Sequence, residues 1–265
     1  GYMVGGKFEN TIDLGNGVSL TSKGDSDGML IKYDSEGKVE WAQVIAGTGS
    51  DYVESVSKTS DGGYIVGGYF HSNSIDLGNE VNLTNYNVSA AYPSGMLIKY
   101  NSEGKAEWAK GVSSDASNDP YVEIYSVSGT SDGGCIAGGF FYGNINLGNG
   151  VSLSGKGHYD GMIIKYSANG EAEWAQGIGG TGYDYTNSVA ETSDGGYIVG
   201  GDTGTSKLDL GNGVNLTTNG SYTKPDGIII KYNTNGEAEW AKAIGGTDSD
   251  YVQSVSETSD GGYIV

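Results

Sequence analysis

The chain has no arginine, one cysteine, two histidines and three prolines among its 265 residues. Each shortage excludes something. A lone Cys135 leaves no partner for an intrachain disulfide. His71 and His158 stand far apart in unrepeated segments, so neither a zinc-spaced pair nor a Ser-His-Asp constellation is legible. Without arginine there is no bidentate reader of phosphate or guanine. With 33 acidic residues against 14 basic ones, the net charge of −19 repels a phosphate backbone, so no nucleic-acid partner is expected. No apolar run is long enough to predict a transmembrane helix, and no signal peptide is visible.

Glycine and tyrosine, by contrast, are abundant, at 48 and 20 residues. The glycines recur at fixed places beside apolar stretches, which is the pattern of short strands and tight turns rather than of a linker. Four tryptophans, Trp41, Trp108, Trp174 and Trp240, set the period at spacings of 67, 66 and 66 residues. Each lies in one phrase, KVEWAQ, KAEWAK, EAEWAQ or EAEWAK. A second phrase, TSDGGYIVGG, returns as TSDGGCIAGG and appears in part at both ends of the chain. A third, DGMLIKY, returns as SGMLIKY, DGMIIKY and DGIIIKY.

One unit therefore reads as four strands. Strand A precedes a Ser-Asp-Gly-Gly turn, strand B is GYIVGG, strand C is DGMLIKY, and strand D carries the Trp. A long insert of the form IDLGNGVSLT separates B from C. The C–D connection reads as a two-residue turn such as Asn235-Gly236, which pairs Lys231 with Trp240 and lays the lysine stem over the indole. Four antiparallel strands per unit, repeated, predict an all-β β-propeller. Divided this way, residues 1–46 form a partial blade, 47–112, 113–179 and 180–246 form blades, and 247–265 form another partial blade of a single domain. GYMV at 1–4 and GYIV at 262–265 are the same strand of successive units, so a larger ring of seven or eight blades is expected.

The order SDGG, strand, DGxxIKY, turn and Trp resembles a WD40-type blade plan. In detail it is similar to the repeats of secreted bacterial β-propellers. That resemblance covers essentially the whole chain, and it implies an extracellular or cell-surface location. YDSEGKVEW, from Tyr33 to Trp41, also resembles the tryptophan-docking motif of quinoprotein propellers. The latter implies that Trp41, Trp108, Trp174 and Trp240 pack between neighbouring blades. The quinoprotein cofactor is not implied, because the adjacent Cys-Cys pair and the arginine are missing.

Residues repeated in every unit are expected to be structural. These include Asp61, Asp132, Asp194 and Asp260 of the SDGG turn, Lys32, Lys99, Lys165 and Lys231 of strand C, and Ser55, Ser126, Ser188 and Ser254 of strand A. Unrepeated tyrosines in the loops, Tyr86, Tyr92, Tyr159, Tyr183 and Tyr222, are the candidate ligand-binding residues, because exposed Tyr beside Asn and Asp suits glycan or protein recognition. They belong to the D–A loops and the B–C inserts, which the antiparallel path brings to one face. Asp25 with Asp27, and Asp248 with Asp250, are expected to cap turn amides, so no cofactor or metal is expected; calcium ligation is their alternative role. The expected function is non-catalytic binding of protein or glycan. A spacer without ligand, and a polysaccharide hydrolase or lyase, are the alternatives.

Overall fold

A computed structural model describes residues 1–87 and 91–265. All regular elements among them are strands. Three four-stranded antiparallel sheets repeat the predicted A-B-C-D order. The first comprises Asp51–Lys58, Tyr64–Phe70, Ser94–Tyr100 and Ala106–Val112. The second comprises Val122–Gly129, Cys135–Phe141, Asp160–Tyr166 and Ala172–Ile178. The third comprises Asp184–Glu191, Tyr197–Thr203, Asp226–Tyr232 and Ala238–Ile244. A three-stranded sheet of Tyr2–Phe8, Asp27–Tyr33 and Val39–Ile45 precedes them, and the short pair Ser256–Glu257 and Tyr263–Ile264 follows. Among the described residues the sheets form no closed ring, since Tyr2–Phe8 pairs only with strand C of its own sheet. This arrangement is consistent with a propeller.

Sheets meet through glycine. A Cβ on Gly67 would lie 2.5 Å from Val127, and one on Gly138 would lie 2.6 Å from Val189. Gly5 and Gly200 face Val53 and Val252 in the same way. Strand B of each sheet therefore receives the branched side chains of the next strand A. Strand A also bulges between Val53 and Ser55, Ile124 and Ser126, and Thr186 and Ser188. The serine after each bulge accepts the next strand A's amide at 3.1 Å: Ser55 from Val127, Ser126 from Val189 and Ser188 from Val255. The repeated serines thus tie neighbouring sheets together.

The tryptophans do the same at the outer edge. The indoles of Trp41, Trp108 and Trp174 lie against Gly104, Gly170 and Gly236, in the C–D turn of the following sheet. Trp108 Nε1 donates to the Ala168 carbonyl at 2.9 Å. Cys135 is buried where the other units place Tyr64, Tyr197 and Tyr263, each of which meets a Trp ring.

Two details differ from the sequence expectation. The C–D turn is longer than two residues: Asn233 N donates to Glu237 O, and Asn233 Oδ1 accepts from Asn235 N and Glu237 N. Lys231 still pairs with Trp240, because a bulge follows at Tyr232. Its ammonium goes not to the indole but to carboxylates, Asp194 at 3.0 Å and Glu239 at 3.2 Å. Lys99 joins Asp61 and Glu107, and Lys165 joins Asp132 and Glu173, in the same manner. These lysines are 2 % exposed, so a charge-assisted bond outcompetes a ring face there.

The B–C insert also folds into a structure of its own, a small hairpin such as Asn144–Gly148 with Val151–Ser154. Its Ile145 and Leu153 bury against Phe141. Asn-Gly turns close three of these hairpins, with both residues at positive φ. In the fourth, Glu80 occupies the glycine position at φ 63°. Replacing Glu80 with Gly removes a left-handed penalty of about 1 kcal/mol, and urea unfolding is expected to show that gain.

Gly170 and Gly37 share a positive φ, but only Gly170 lies under an indole. Gly37→Ala is expected to cost about 1 kcal/mol and Gly170→Ala at least twice that, by the same measurement. Equal losses would remove the indole contact from the explanation.

Candidate binding face

The D–A loops and the hairpin inserts do share a face. Hydrogen bonds join them directly: His71 N to Ser50 O at 2.9 Å, Tyr142 N to Tyr121 O at 3.0 Å, and Gly204 N to Tyr183 O at 2.7 Å. These bonds hold the loops against the ends of strands A and B.

On this face the side chains form an aromatic belt. Ring centroids follow one another from Tyr222 to Tyr183 at 4.5 Å, to Tyr159 at 5.3 Å, to Tyr121 at 5.7 Å and to Tyr92 at 5.4 Å. The hydroxyls of Tyr183 and Tyr222 are 2.7 Å apart. His158 packs beside both rings, at 5.1 and 5.4 Å. Phe140 carries the belt inward, touching Tyr159, Tyr185 and Tyr125 at 4.9, 5.1 and 5.5 Å. Four of the five candidate tyrosines therefore come together across the three four-stranded sheets. Tyr86 stands apart, 76 % exposed, over a separate groove of about 710 Å³ that Ser113, Asp115 and Asn144 help to line.

Tyr121, Tyr125, Phe140 and Tyr185 were not singled out from the sequence, although a signal existed. The residue after the Gly-Gly of strand B changes in every unit, as Lys7, Tyr69, Phe140 and Asp202, while its neighbours hardly change. Its cross-strand partners vary too, with Tyr52 opposite Tyr69, Glu123 opposite Phe140 and Tyr185 opposite Asp202. Tyr52 and Tyr69 stack at 4.8 Å, with Lys7 Nζ 4.7 Å from the centre of the Tyr52 ring.

Carboxylates lie among these rings. Burial pushes Glu123 up to about 7, although the Tyr125 hydroxyl donates to it. Burial likewise raises Asp202 to about 6, while Asn187 Nδ2 donates to it at 2.8 Å. Asp119 accepts from the Tyr92 hydroxyl. Among the described residues, no salt bridge reaches Glu123 or Asp202.

The paired aspartates chosen from sequence spacing are not brought together. Asp25 is exposed and Asp27 is buried. Asp248 is bound by Lys224 at 2.7 Å, whereas Asp250 accepts its own loop's Gly246 amide at 2.9 Å. Among the described residues, no group of three or more His, Cys, Asp or Glu side chains is arranged to hold a metal ion. The SDGG aspartates order their turns: Asp61 Oδ1 accepts from Thr59 Oγ1 and Gly63 N at 2.6 and 2.9 Å.

No family model matches the chain. It is 25 % identical over 278 aligned residues to an uncharacterized WD repeat-containing protein of Acanthamoeba polyphaga mimivirus. The chain resembles a WD-repeat protein. The match takes in 86 % of this chain but only 19 % of that protein's length. It agrees with the repeated sheets and with a WD40-like reading of the phrases. No helix among the described residues is long and apolar enough to cross a membrane.

Opposing shifts predict a bell-shaped stability profile. The Lys99 ammonium first, then the Thr59 hydroxyl, hold Asp61 down to about 2, so its contribution is complete above about 4 and is lost as pH falls toward 2. Glu123 and Asp202 act oppositely: the native state keeps their protons longer than the unfolded chain does, so stability falls as pH rises from about 4 through 7. Thermal midpoints measured between pH 3 and 8 are expected to peak near pH 4 to 5. Glu123→Gln should flatten the neutral limb alone.

Proposed function

We propose that this chain is a non-catalytic interaction module that holds a protein or glycan ligand against its aromatic belt. The observation that carries the reading is the convergence of unrepeated tyrosines on one face. Repeat packing accounts for Tyr100, Tyr166 and Tyr232, which are buried in the sheets. It does not account for Tyr159, Tyr183 and Tyr222, which arise from different loops and still stack together. Rigid aromatic rings give large contact area at little entropic cost, and they stack equally well on sugar faces and on side chains.

The likeness to a WD repeat-containing protein supports a scaffold that works by contact rather than by chemistry. Catalysis has little support on this face. Its carboxylates lie among aromatic rings, where Glu123 and Asp119 accept from the phenol hydroxyls of Tyr125 and Tyr92, and no described serine or cysteine is hydrogen-bonded to a histidine there. Net charge of −19 favours neutral or basic ligands over phosphorylated ones. A location outside the cell goes with this reading.

The test is a glycan array together with a panel of basic and neutral peptides, probed with the intact chain. A ligand found there should bind the Tyr183→Ala/Tyr222→Ala variant at least about ten-fold more weakly, as expected when a central aromatic pair is truncated. Unchanged affinity would move the site off the belt. An absence of binders in both panels would favour the spacer reading.

A further inference from the structure

The junctions between successive sheets differ in charge. At the first, Asp27 of strand C meets Asp51 of the next strand A, whose amide donates to Ser26 O at 2.8 Å. At the third, Asp160 meets Asp184, whose amide donates to Tyr159 O at 2.8 Å. All four carboxylates are 0–2 % exposed, and no salt bridge reaches them among the described residues. Asp226 and Asp250 take the same positions at the fourth junction.

Each aspartate uses its Oδ2 atom to hold a loop. Asp27 accepts from Gly24 N at 2.9 Å and Asp160 from Lys156 N at 2.6 Å. Asp51 and Asp184 accept from Gly47 N and Gly180 N at 2.8 and 2.9 Å. The Oδ1 atoms of Asp27 and Asp160 are left without a partner. Two hydroxyls of the same junctions are also without a partner, Ser26 Oγ at the first and Thr186 Oγ1 at the third. Of six such buried oxygens among the described residues, four lie at these two junctions.

The second junction is an internal control. Ser94 and Val122 replace both aspartates there. Ser94 Oγ is satisfied by Asn85 Oδ1 at 2.8 Å and by Ser113 Oγ at 2.7 Å. Between the strands, Asn87 Nδ2 donates to the carbonyls of Pro93 and Pro120 at 2.9 and 3.0 Å. A neutral amide donor bridges this junction, with its own Oδ1 left without a partner, and both acids are absent together. Where the acids remain, Asp51 accepts from Ser72 Oγ at 2.7 Å and Asp184 from Thr203 Oγ1 and Thr205 Oγ1, but no donor among the described residues reaches Asp27 Oδ1 or Asp160 Oδ1. Two buried carboxylates side by side are costly unless a positive charge joins them.

We propose that the first and third junctions each bind a calcium ion, between Asp27 and Asp51 and between Asp160 and Asp184. The unpartnered carboxylate and hydroxyl oxygens are hard donors of the kind calcium takes, and its coordination tolerates irregular loop geometry. Two carboxylates per site set the dissociation constant on the order of 0.1–1 mM, the range of extracellular modules. The ions would brace the loops that carry Tyr159 and Tyr183, independently of what the belt binds.

Thermal unfolding of the chain in EDTA and in CaCl2 at about ten times that constant tests the proposal. The midpoint is expected to rise by at least about 3 °C with calcium. Terbium is expected to give tyrosine-sensitised emission that calcium displaces. The Asp27→Asn/Asp160→Asn variant should unfold cooperatively in EDTA and lose most of both responses. No shift with calcium in the wild-type chain overturns the proposal. So does a variant that keeps the full shift, which would place the ions on the acidic surface. A third overturning result is a variant stabilised in EDTA with no calcium response in either chain, which would mean that each pair shares a proton. None of these readouts depends on a ligand for the belt.

Discussion

Neighbouring sheets approach closely only because strand B presents no side chain at Gly5, Gly67, Gly138 and Gly200. Valines of the next strand A fill that space, and the remaining contacts follow from the distance so fixed. At the inner edge, a serine hydroxyl reaches the next strand's amide. At the outer edge, an indole covers the next turn's glycine. A methyl group on the glycine row would separate the sheets and break the inner and outer links at once.

Within each complete sheet, a buried lysine joins the A–B turn to strand D. Lys99, Lys165 and Lys231 bring their ammonium groups to one aspartate of the SDGG turn and one glutamate beside the Trp. The carboxylates remain half exposed, so the lysine is desolvated but fully hydrogen-bonded. Among the described residues, Lys32 is bridged to Glu40 alone. The loops on the opposite end of the strands are thereby freed from holding the sheet together, and they carry the variation.

Much of this was legible. A period of about 66 residues with invariant phrases specified strand order, because each phrase must satisfy the same packing in every sheet. The exposed, unrepeated tyrosines stood out for the opposite reason. What was hidden depended on contacts between units. Phe140 and Tyr185 look like ordinary strand residues until the register sets them opposite Glu123 and Asp202. Asp27 looks like a partner for Asp25, two residues away, but Asp25 stands in the exposed loop before the strand that opens at Asp27, whose carboxylate is buried. Its true neighbour, Asp51, lies on the following sheet.

The sequence by itself determined the repeat, its four strands and the distinction between fixed scaffold and variable loops, since glycine, tryptophan and Ser-Asp-Gly-Gly each carry a local requirement. Only the tertiary structure decided which variable residues meet. Stacking sheet on sheet brings Tyr92, Tyr121, Tyr159, Tyr183 and Tyr222 from separate loops into one belt. It also faces buried carboxylates of adjacent sheets toward each other. Such encounters are set by the spacing between sheets, which no single unit contains.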